Sequence, residues 1–317
     1  MSGPHVAVTL GDPRGIGPEV ALRAIEAFGG ETDTTVVVVT PAGTFTRQEL
    51  EGALGAYVLS RDASDAEAGA ASVASIERAV EGALDGRFNA IVTGPVHKPS
   101  LHAAGWHVPG QTEMLGRLAA SERVGMLMAA ERTRLGGALR VLLATTHLPL
   151  RDVPGRLDQR LLVEQTELLD RSLRDDWKVE RPRLALCALN PHASDGGLFG
   201  TEEADTLTPA VALLRARGVD VEGPIPADTV FARALASEFD AVVAPYHDVG
   251  MAAFKTVSFG TGVNVTLGLP FVRTSPDHGT AFGLVGSDRA DASSMSEALS
   301  LASRLARARF DTYSARV

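Results

Sequence analysis

The chain has 317 residues, of which 45% are hydrophobic, and its formal net charge is −9 at pH 7. This length and apolar content predict a substantial core, in two domains or in one large α/β unit. The acidic balance and the 5% aromatic content argue against nucleic-acid binding, which requires basic patches and stacking side chains. The sequence has no signal-peptide pattern and no apolar stretch of about 18 residues, so it predicts a cytoplasmic protein that binds no membrane. The one cysteine, Cys187, lies in an apolar run and is expected to be a buried, unreactive thiol.

Buried-strand patterns and amphipathic-helix patterns alternate along the chain. Strands are predicted at residues 6–10, 35–39, 90–92, 141–144, 184–189 and 241–244. Helices are predicted at residues 18–28, 66–84, 157–173, 202–217 and 295–309. Such alternation favours an α/β fold with a mainly parallel sheet and right-handed crossovers. We expect two α/β domains, one formed by residues 1–108 with 265–317 and the other by residues 109–264.

A glycine-containing segment, GDPRGIGPE at residues 11–19, joins the first predicted strand to the first predicted helix. Neither G-x-G-x-x-G nor a P-loop occurs in the sequence, which disfavours a standard Rossmann NAD site and a P-loop kinase. The glycines could let the backbone approach a ligand, or they could simply permit a tight strand-to-helix turn.

Three histidines, His147, His192 and His247, each follow a predicted buried strand. Ligands bind at the carboxyl ends of strands in open α/β sheets, and neutral imidazole is the commonest metal ligand. The pattern therefore indicates a divalent-metal site, unless the three are loop histidines that never meet. Asp248 and Asp228 could orient a histidine or move a proton, although Asp228 is also placed as a helix N-cap.

The C-terminal third concentrates polar residues between apolar runs. Lysine makes up only three of the 30 basic residues, at Lys98, Lys178 and Lys255, so a compact ammonium could be specifically needed at Lys255. Arg273, followed by two hydroxyl residues, could clamp a phosphate or carboxylate together with Lys255. The alternative is a surface cation in a solvated turn.

Five segments occur in the order that a known family shows. They are GDPRGIGPE at 11–19, NPHA at 190–193, GPIPADT at 223–229, YHD at 246–248 and GLPFVRTSPDHGT at 268–280. Together they closely resemble the 4-hydroxythreonine-4-phosphate dehydrogenase family of vitamin B6 biosynthesis, over nearly the whole chain.

The resemblance implies a fold like isocitrate and isopropylmalate dehydrogenases, with the active site in the cleft between two α/β domains. It also implies a homodimer with a shared active site, whose histidines His147, His192 and His247 bind a divalent metal (zinc, magnesium or cobalt) across the dimer. The implied substrate is a small phosphorylated hydroxy acid. Its implied contacts are Gln111, Thr112, Lys255, Asn264 and Arg273.

The implied reaction is NAD- or NADP-linked oxidation of 4-phosphooxy-L-threonine to a β-keto acid, which decarboxylates to 3-amino-2-oxopropyl phosphate. Metal and a cationic group such as Lys255 would stabilise the developing charge. The candidate catalytic residues are Lys255, Asp248 and Asp228. The candidate cofactor contacts are Gly11, Asp12, Gly15, Asp277 and His278.

Two positions depart from the family pattern. Gln111 stands where the family usually has a substrate-contacting histidine, and Val249 stands where it usually has glutamine. Gln111 can donate and accept hydrogen bonds but carries no charge. These changes leave two alternatives open within the superfamily, namely oxidation of a phosphorylated four-carbon sugar acid or of an aromatic cis-dihydrodiol. A third alternative is a metallohydrolase that uses the three histidines and Asp248 without nicotinamide.

Overall fold

The computed structural model describes residues 3–29 and 33–314. The chain divides into two compact units, which we call unit 1 (Met1–Val124 with Val263–Val317) and unit 2 (Gly125–Gly262). The predicted domains changed at residues 109 and 265, whereas here the segment 109–124 falls in unit 1. The expected position of the active site between two domains stays a prediction.

Among its described residues, unit 1 contains six strands and the helices that cover them. The strands are β1 (His5–Thr9), β2 (Thr35–Thr40), β3 (Gly43–Thr46), β4 (Ala90–Thr93), β10 (Val263–Leu267) and β11 (Val272–Pro276). The helices are α1 (Gly17–Ala27), α2 (Leu50–Tyr57), α3 (Asp65–Leu84), α4 (Lys98–Ala103), α5 (Gln111–Leu118) and α11 (Ser293–Ser314). The strand order is β3-β2-β1-β4-β11-β10. The outermost pair on each side (β3 with β2, and β10 with β11) is antiparallel, while β2, β1, β4 and β11 run parallel.

Strand β4, in the middle of the unit 1 strands, is apolar along Ala90–Val92 and contacts both α3 and α11. Ala90, Ile91 and Val92 of β4 are all fully buried, as expected for parallel strands between helical layers. Helix α3 begins at a capping box in which the Ser64 side chain accepts from the Glu67 backbone N–H. Its buried face packs in one cluster with β1, β2 and β4 through side chains such as Ile76 and Val80.

Unit 2 contains five strands, β5 (Gly125–Ala130), β6 (Leu139–Leu143), β7 (Leu184–Cys187), β8 (Val221–Ile225) and β9 (Ala241–Ala244). Its helices are α6 (Val153–Arg156), α7 (Gln159–Asp175), α8 (Thr208–Ala216), α9 (Ala227–Leu235) and α10 (His247–Ser258). The strand order is β5-β6-β9-β7-β8, with only β5 antiparallel to its neighbour. The prediction of an α/β fold with mainly parallel strands is confirmed.

Two sequence-based elements of unit 2 differ from the structure. The helix predicted at 202–217 is interrupted, since a π-helical turn at Glu203–Leu207 precedes α8. The strand predicted at 184–189 ends at Cys187. The Ala188 N–H still donates to the Ile225 carbonyl, but the backbone N–H groups of Leu189 and Asn190 donate to the Glu203 side chain instead of to a strand. None of the helices within the described ranges is long and apolar enough to cross a membrane.

Candidate active-site residues

Two of the three histidines lie side by side at one edge of the unit 2 sheet. Strands β6 and β9 are parallel, with Leu143 opposite Ala244, so both end at the same edge. Beyond them the Thr145 side chain donates to the Pro245 carbonyl at 2.8 Å, which ties the two following loops together. The rings of His147 and His247 consequently have centroids 5.5 Å apart.

This separation suits two ligands of a single metal ion. Two imidazoles that bind one tetrahedral metal ion through nitrogen have ring centres about 5 Å apart. Asp248 Oδ1 lies 2.6 Å from His247 Nδ1. A proton held on Nδ1 by this carboxylate leaves Nε2 as the ligand atom, an arrangement common behind metal-bound histidines. The pair His147 and His247 therefore fits a divalent metal ion.

His192 lies on a different loop and does not complete the group. Among residues 3–29 and 33–314, no three His, Cys, Asp or Glu side chains are grouped so that they could hold a metal ion. His192 is exposed, in a short helical turn at Pro191–Asp195 whose backbone is left-handed at His192 (φ 53°). Its role as third ligand stays a prediction.

The other two catalytic candidates of unit 2 lie on separate helices. Lys255 is on α10, about 12 Å further along the helix axis than His247 at about 1.5 Å per residue, and its Nζ lies 5.7 Å from the centre of the Phe259 ring. Asp228 is exposed in the first turn of α9, where Pro226 rather than Asp228 is the N-cap. The N-cap interpretation of Asp228 is therefore wrong by two residues, although its charge still complements the helix dipole.

Unit 1 holds a buried cation at the position expected to bind an anion. Arg273 on β11 is 2% exposed. Its Nη1 donates to Thr266 Oγ1 at 2.9 Å and its Nη2 to Thr93 Oγ1 at 2.6 Å, while its Nε is buried without a partner. Burial lowers the pKa of Arg273 to about 10, and the charge of Glu113 opposes that shift only in part.

The residues around Arg273 include three other predicted substrate contacts. Gln111 Nε2 donates to the Gly94 carbonyl at 3.1 Å, and its Oε1 lies 3.4 Å from Arg273 Nη2. Thr112 Oγ1 is 3.4 Å from Thr266 Oγ1. Asn264 Oδ1, on β10, is buried without a hydrogen-bond partner. The structure thus gathers a cation, hydroxyls and amides with unused hydrogen-bonding capacity.

In the 11–19 segment, the space beside Gly11 and Gly15 is filled by the protein's own backbone. A Cβ on Gly11, whose φ is +81°, would lie 2.3 Å from the Pro95 carbonyl oxygen, and one on Gly15 would lie 2.8 Å from the Thr280 carbonyl oxygen. Asp12 is fully buried and accepts from Arg14 at 3.0 Å and from Ser100 Oγ at 2.9 Å. These contacts support the interpretation of the segment as a tight strand-to-helix turn.

The remaining cofactor candidates lie after β11. Asp277 N donates to Ser294 Oγ at 3.0 Å, and Ser294 Oγ lies 3.3 Å from Asp277 Oδ1. His278 Nδ1 lies 3.0 Å from the Gly279 carbonyl, and its Nε2 is buried without a partner. Of the five cofactor candidates, only His278 has a buried side-chain atom without a hydrogen-bond partner, so it is the best fit to a nucleotide.

Sequence reasoning missed three residues that shape these groups. Thr93 and Thr266 hold the Arg273 guanidinium, and Glu203 accepts hydrogen bonds from the loop that carries His192. The two threonines carried a usable signal, because a hydroxyl inside an otherwise apolar strand needs a partner. Glu203 carried none, since a glutamate in a helical pattern is ordinarily solvated.

Comparison with known proteins identifies relatives that match nearly the full length of the chain. A family model described as "Pyridoxal phosphate biosynthetic protein PdxA" matches residues 20–302. The 4-hydroxythreonine-4-phosphate dehydrogenase of Chromobacterium violaceum is 40% identical over 324 residues, covering 96% of this chain and 97% of the relative.

Solved structures agree with these relatives. The crystal structure of 4-hydroxythreonine-4-phosphate dehydrogenase from Klebsiella pneumoniae matches with a TM-score of 0.80 and 36% identity, covering 96% of this chain and 100% of that chain. A terephthalate 1,2-cis-dihydrodiol dehydrogenase from Burkholderia xenovorans LB400 is less similar, with a TM-score of 0.66, 26% identity, and coverage of 95% and 98%. An isocitrate dehydrogenase from Methylococcus capsulatus shares the fold alone, with a TM-score of 0.52, 12% identity, and coverage of 98% and 89%.

Proposed function

This chain belongs to the family of pyridoxal phosphate biosynthetic protein PdxA and is a dehydrogenase of pyridoxal phosphate biosynthesis, and we propose that its substrate is 4-phosphooxy-L-threonine. The reaction is NAD- or NADP-linked oxidation of the secondary alcohol to a ketone. The resulting β-keto acid loses carbon dioxide and gives 3-amino-2-oxopropyl phosphate. The enzyme is expected to work in the cytoplasm, where the nicotinamide cofactor is available.

The observation that carries this proposal is the buried, incompletely partnered guanidinium of Arg273. A buried charge is unfavourable unless an opposite charge compensates it, and the charge of Glu113 compensates that of Arg273 only in part, so a negatively charged ligand would complete the compensation. Its free Nε–H and its fork geometry suit an oxygen of a phosphate group. We assign the substrate phosphate to Arg273, with Thr112, Asn264 and Gln111 as the neighbouring polar contacts.

We assign the reacting alcohol to the residues of unit 2. When bound, a divalent metal ion supplies charge that stabilises the alcohol oxygen as hydride leaves, and NAD(P) accepts that hydride. His147 and His247 would hold the metal ion, with His192 as the third ligand. Asp248 orients the His247 ring through Nδ1. Lys255 holds or relays the alcohol proton, and Asp228 is a second candidate for proton transfer.

His278 is our candidate for a contact with the nicotinamide nucleotide. Its buried Nε2 has no hydrogen-bond partner, and a nucleotide hydroxyl would supply one. We also propose that the enzyme is a homodimer with a shared active site, an expectation that rests on the family.

A substrate panel with purified enzyme tests the proposal. We expect 340 nm absorbance to rise when NAD or NADP is mixed with 4-phosphooxy-L-threonine, and to rise far more slowly with a phosphorylated four-carbon sugar acid or with a cis-dihydrodiol. The greater similarity to the Klebsiella pneumoniae enzyme than to the dihydrodiol dehydrogenase supports this order. Substrate hydrolysis without nicotinamide reduction would instead identify a metallohydrolase.

A further inference from the structure

Glu203 is a buried carboxylate whose hydrogen bonds all go to the segment around His192. The side chain belongs to a residue that is 4% exposed. Its Oε1 accepts from the backbone N–H of Leu189 at 2.9 Å and of Asn190 at 2.7 Å. Its Oε2 accepts from the Asn190 side-chain amide at 2.9 Å and from the Ser194 hydroxyl. No cation forms an ion pair with Glu203 within the described ranges.

The segment held by Glu203 has an unfavourable backbone. Four consecutive non-glycine residues are left-handed, at His192 (φ 53°), Ala193 (54°), Ser194 (69°) and Asp195 (44°). Such conformations persist only where surrounding contacts impose them. Glu203 contacts the chain on both sides of His192, through Asn190 before it and Ser194 after it, so it holds His192 and Ala193 from both sides.

The contacts of Glu203 do not involve the His192 side chain. His192 is exposed and takes part in none of the hydrogen bonds to Glu203. A loop that needed only to connect β7 to α8 would not require a left-handed histidine anchored by a buried carboxylate. The geometry is that of a side chain presented outward from a fixed backbone.

We propose that Glu203 is a positioning residue that fixes the 189–194 loop so that His192 can bind the metal ion. This inference rests on the metal site proposed above. Glu203 does not touch the metal. It acts by holding the backbone on which the third imidazole is carried, and thereby lowers the ordering cost of metal binding.

A double-mutant cycle between Glu203 and His192 tests the proposal with cobalt(II) binding as the readout. Metal-depleted wild-type protein, Glu203→Gln, His192→Ala and the double variant are titrated with Co²⁺ and followed by visible absorption and calorimetry. We expect Glu203→Gln to weaken Co²⁺ binding at least tenfold in the wild-type background and less than twofold in the His192→Ala background, since the two residues act through one ligand. Glu222→Gln, which removes an exposed carboxylate of unit 2 paired with Arg233, is the matched control and should bind like wild type.

The outcomes separate this inference from the function on which it rests. Equal weakening in both backgrounds, or no weakening, would overturn the role of Glu203 while leaving the metal site intact. Wild-type protein that binds no Co²⁺ would overturn the metal site and the inference together. If Glu203→Gln does not fold, Ser194→Ala replaces it in the same cycle, because it removes one of the bonds to Glu203. A Ser194→Ala effect that persists undiminished without His192 would equally contradict the proposal.

Discussion

At the scale of single residues, the clearest functional signal is a polar atom that the fold leaves without a partner. Arg273 Nε, Asn264 Oδ1 and His278 Nε2 are all buried and unpartnered. Burying such an atom without a hydrogen-bond partner lowers the stability of the protein, and a ligand that bonds to it would offset that loss. By contrast, Asp12 has all its partners within the protein. Among the predicted binding residues, the unpartnered atoms therefore separate Arg273, Asn264 and His278 from Asp12, whose contacts are structural.

Replacing Arg273 should abolish recognition of the phosphate group. In Arg273→Met we expect KM for the phosphorylated substrate to rise by a factor that corresponds to about 2–5 kcal/mol, the usual cost of losing a buried charged contact. Inorganic phosphate should raise the melting temperature of wild type but not of Arg273→Met. The matched control is Arg87→Met, which loses an exposed pair with Asp85. An equal loss of affinity for phosphorylated and unphosphorylated substrates would contradict the assignment.

Placing a charge at Gln111 should compete with the ligand. Gln111 Oε1 faces Arg273 Nη2 at 3.4 Å, so a carboxylate there would pair with the guanidinium and raise its pKa from about 10. We expect Gln111→Glu to weaken phosphate protection at least tenfold, and Gln111→Met to change it much less. Unchanged protection in Gln111→Glu would show that position 111 does not control the anion site.

Cys187 should be inert to alkylation while the protein is folded. The side chain is fully buried, and burial raises its pKa to about 12, so the reactive thiolate is about 0.1% populated at pH 9. Because the pKa of Cys187 is higher in the folded state than the unfolded value of about 8.5, its contribution to the free energy of unfolding is fully present below about pH 8.5. That contribution is lost as the pH rises toward the folded-state pKa. Iodoacetamide labelling at pH 9 should therefore be slow in buffer and fast in urea. Rapid labelling of the native protein would show that Cys187 is accessible.

At the scale of secondary-structure elements, the strongly periodic parts of the fold could be predicted from the sequence. The predicted helix at 66–84 matches α3 at Asp65–Leu84, because a capping box and an apolar stripe mark it. The antiparallel pair of β10 and β11 could not be predicted, since its strands carry Asn264 and Arg273, which are polar residues inside a sheet. The start of α10 at His247 could not be predicted either, because the sequence Tyr246-His247-Asp248 is typical of a turn.

The same contrast holds for the candidate site. Predicted strand ends placed His147 and His247 at one sheet edge, since register follows from parallel pairing. The position of His192 depends on left-handed backbone and on a carboxylate distant in sequence, neither of which has a local signal. Likewise, no pattern indicated that Val249, a departure from the family, packs against the unit 2 core.

Helix α10 should be displaced by a methyl group at Gly250. A Cβ there would lie 2.6 Å from Leu143 Cδ2 and 3.0 Å from Ala244 Cβ, so the helix rests directly on β6 and β9. We expect Gly250→Ala to lower the free energy of unfolding by about 1–3 kcal/mol through overpacking, and to weaken Co²⁺ binding by moving His247.

The control for that substitution is Gly55→Ala on α2, where a Cβ would meet nothing within 4 Å. Alanine favours the helix there, so the free energy of unfolding should stay the same or rise by about 0.5–1 kcal/mol. Urea denaturation of both variants makes the comparison. Equal stability of Gly250→Ala and wild type would show that α10 shifts without cost.

At the scale of the whole molecule, the position of the histidine pair bears on how subunits would share a site. His147 and His247 are neighbours within one chain, with ring centroids 5.5 Å apart. The family resemblance implies ligands contributed across a homodimer, yet this pair needs no second chain to come together. The two arrangements make opposite predictions for mixed dimers.

We expect light scattering to find a dimer, and a heterodimer of His147→Ala and His247→Ala to be inactive. The heterodimer is made by co-refolding two differently tagged chains and purifying on both tags. If both ligands of a site come from one chain, each site of the heterodimer lacks one imidazole. If they come from different chains, one site lacks both and the other is intact, so about half of wild-type activity returns.

A wild-type and His147→Ala heterodimer, prepared in the same way, controls for the refolding and should retain about half of wild-type activity in either case. Restored activity in the doubly mutant heterodimer would show that the pair seen within one chain is not the pair that binds the metal.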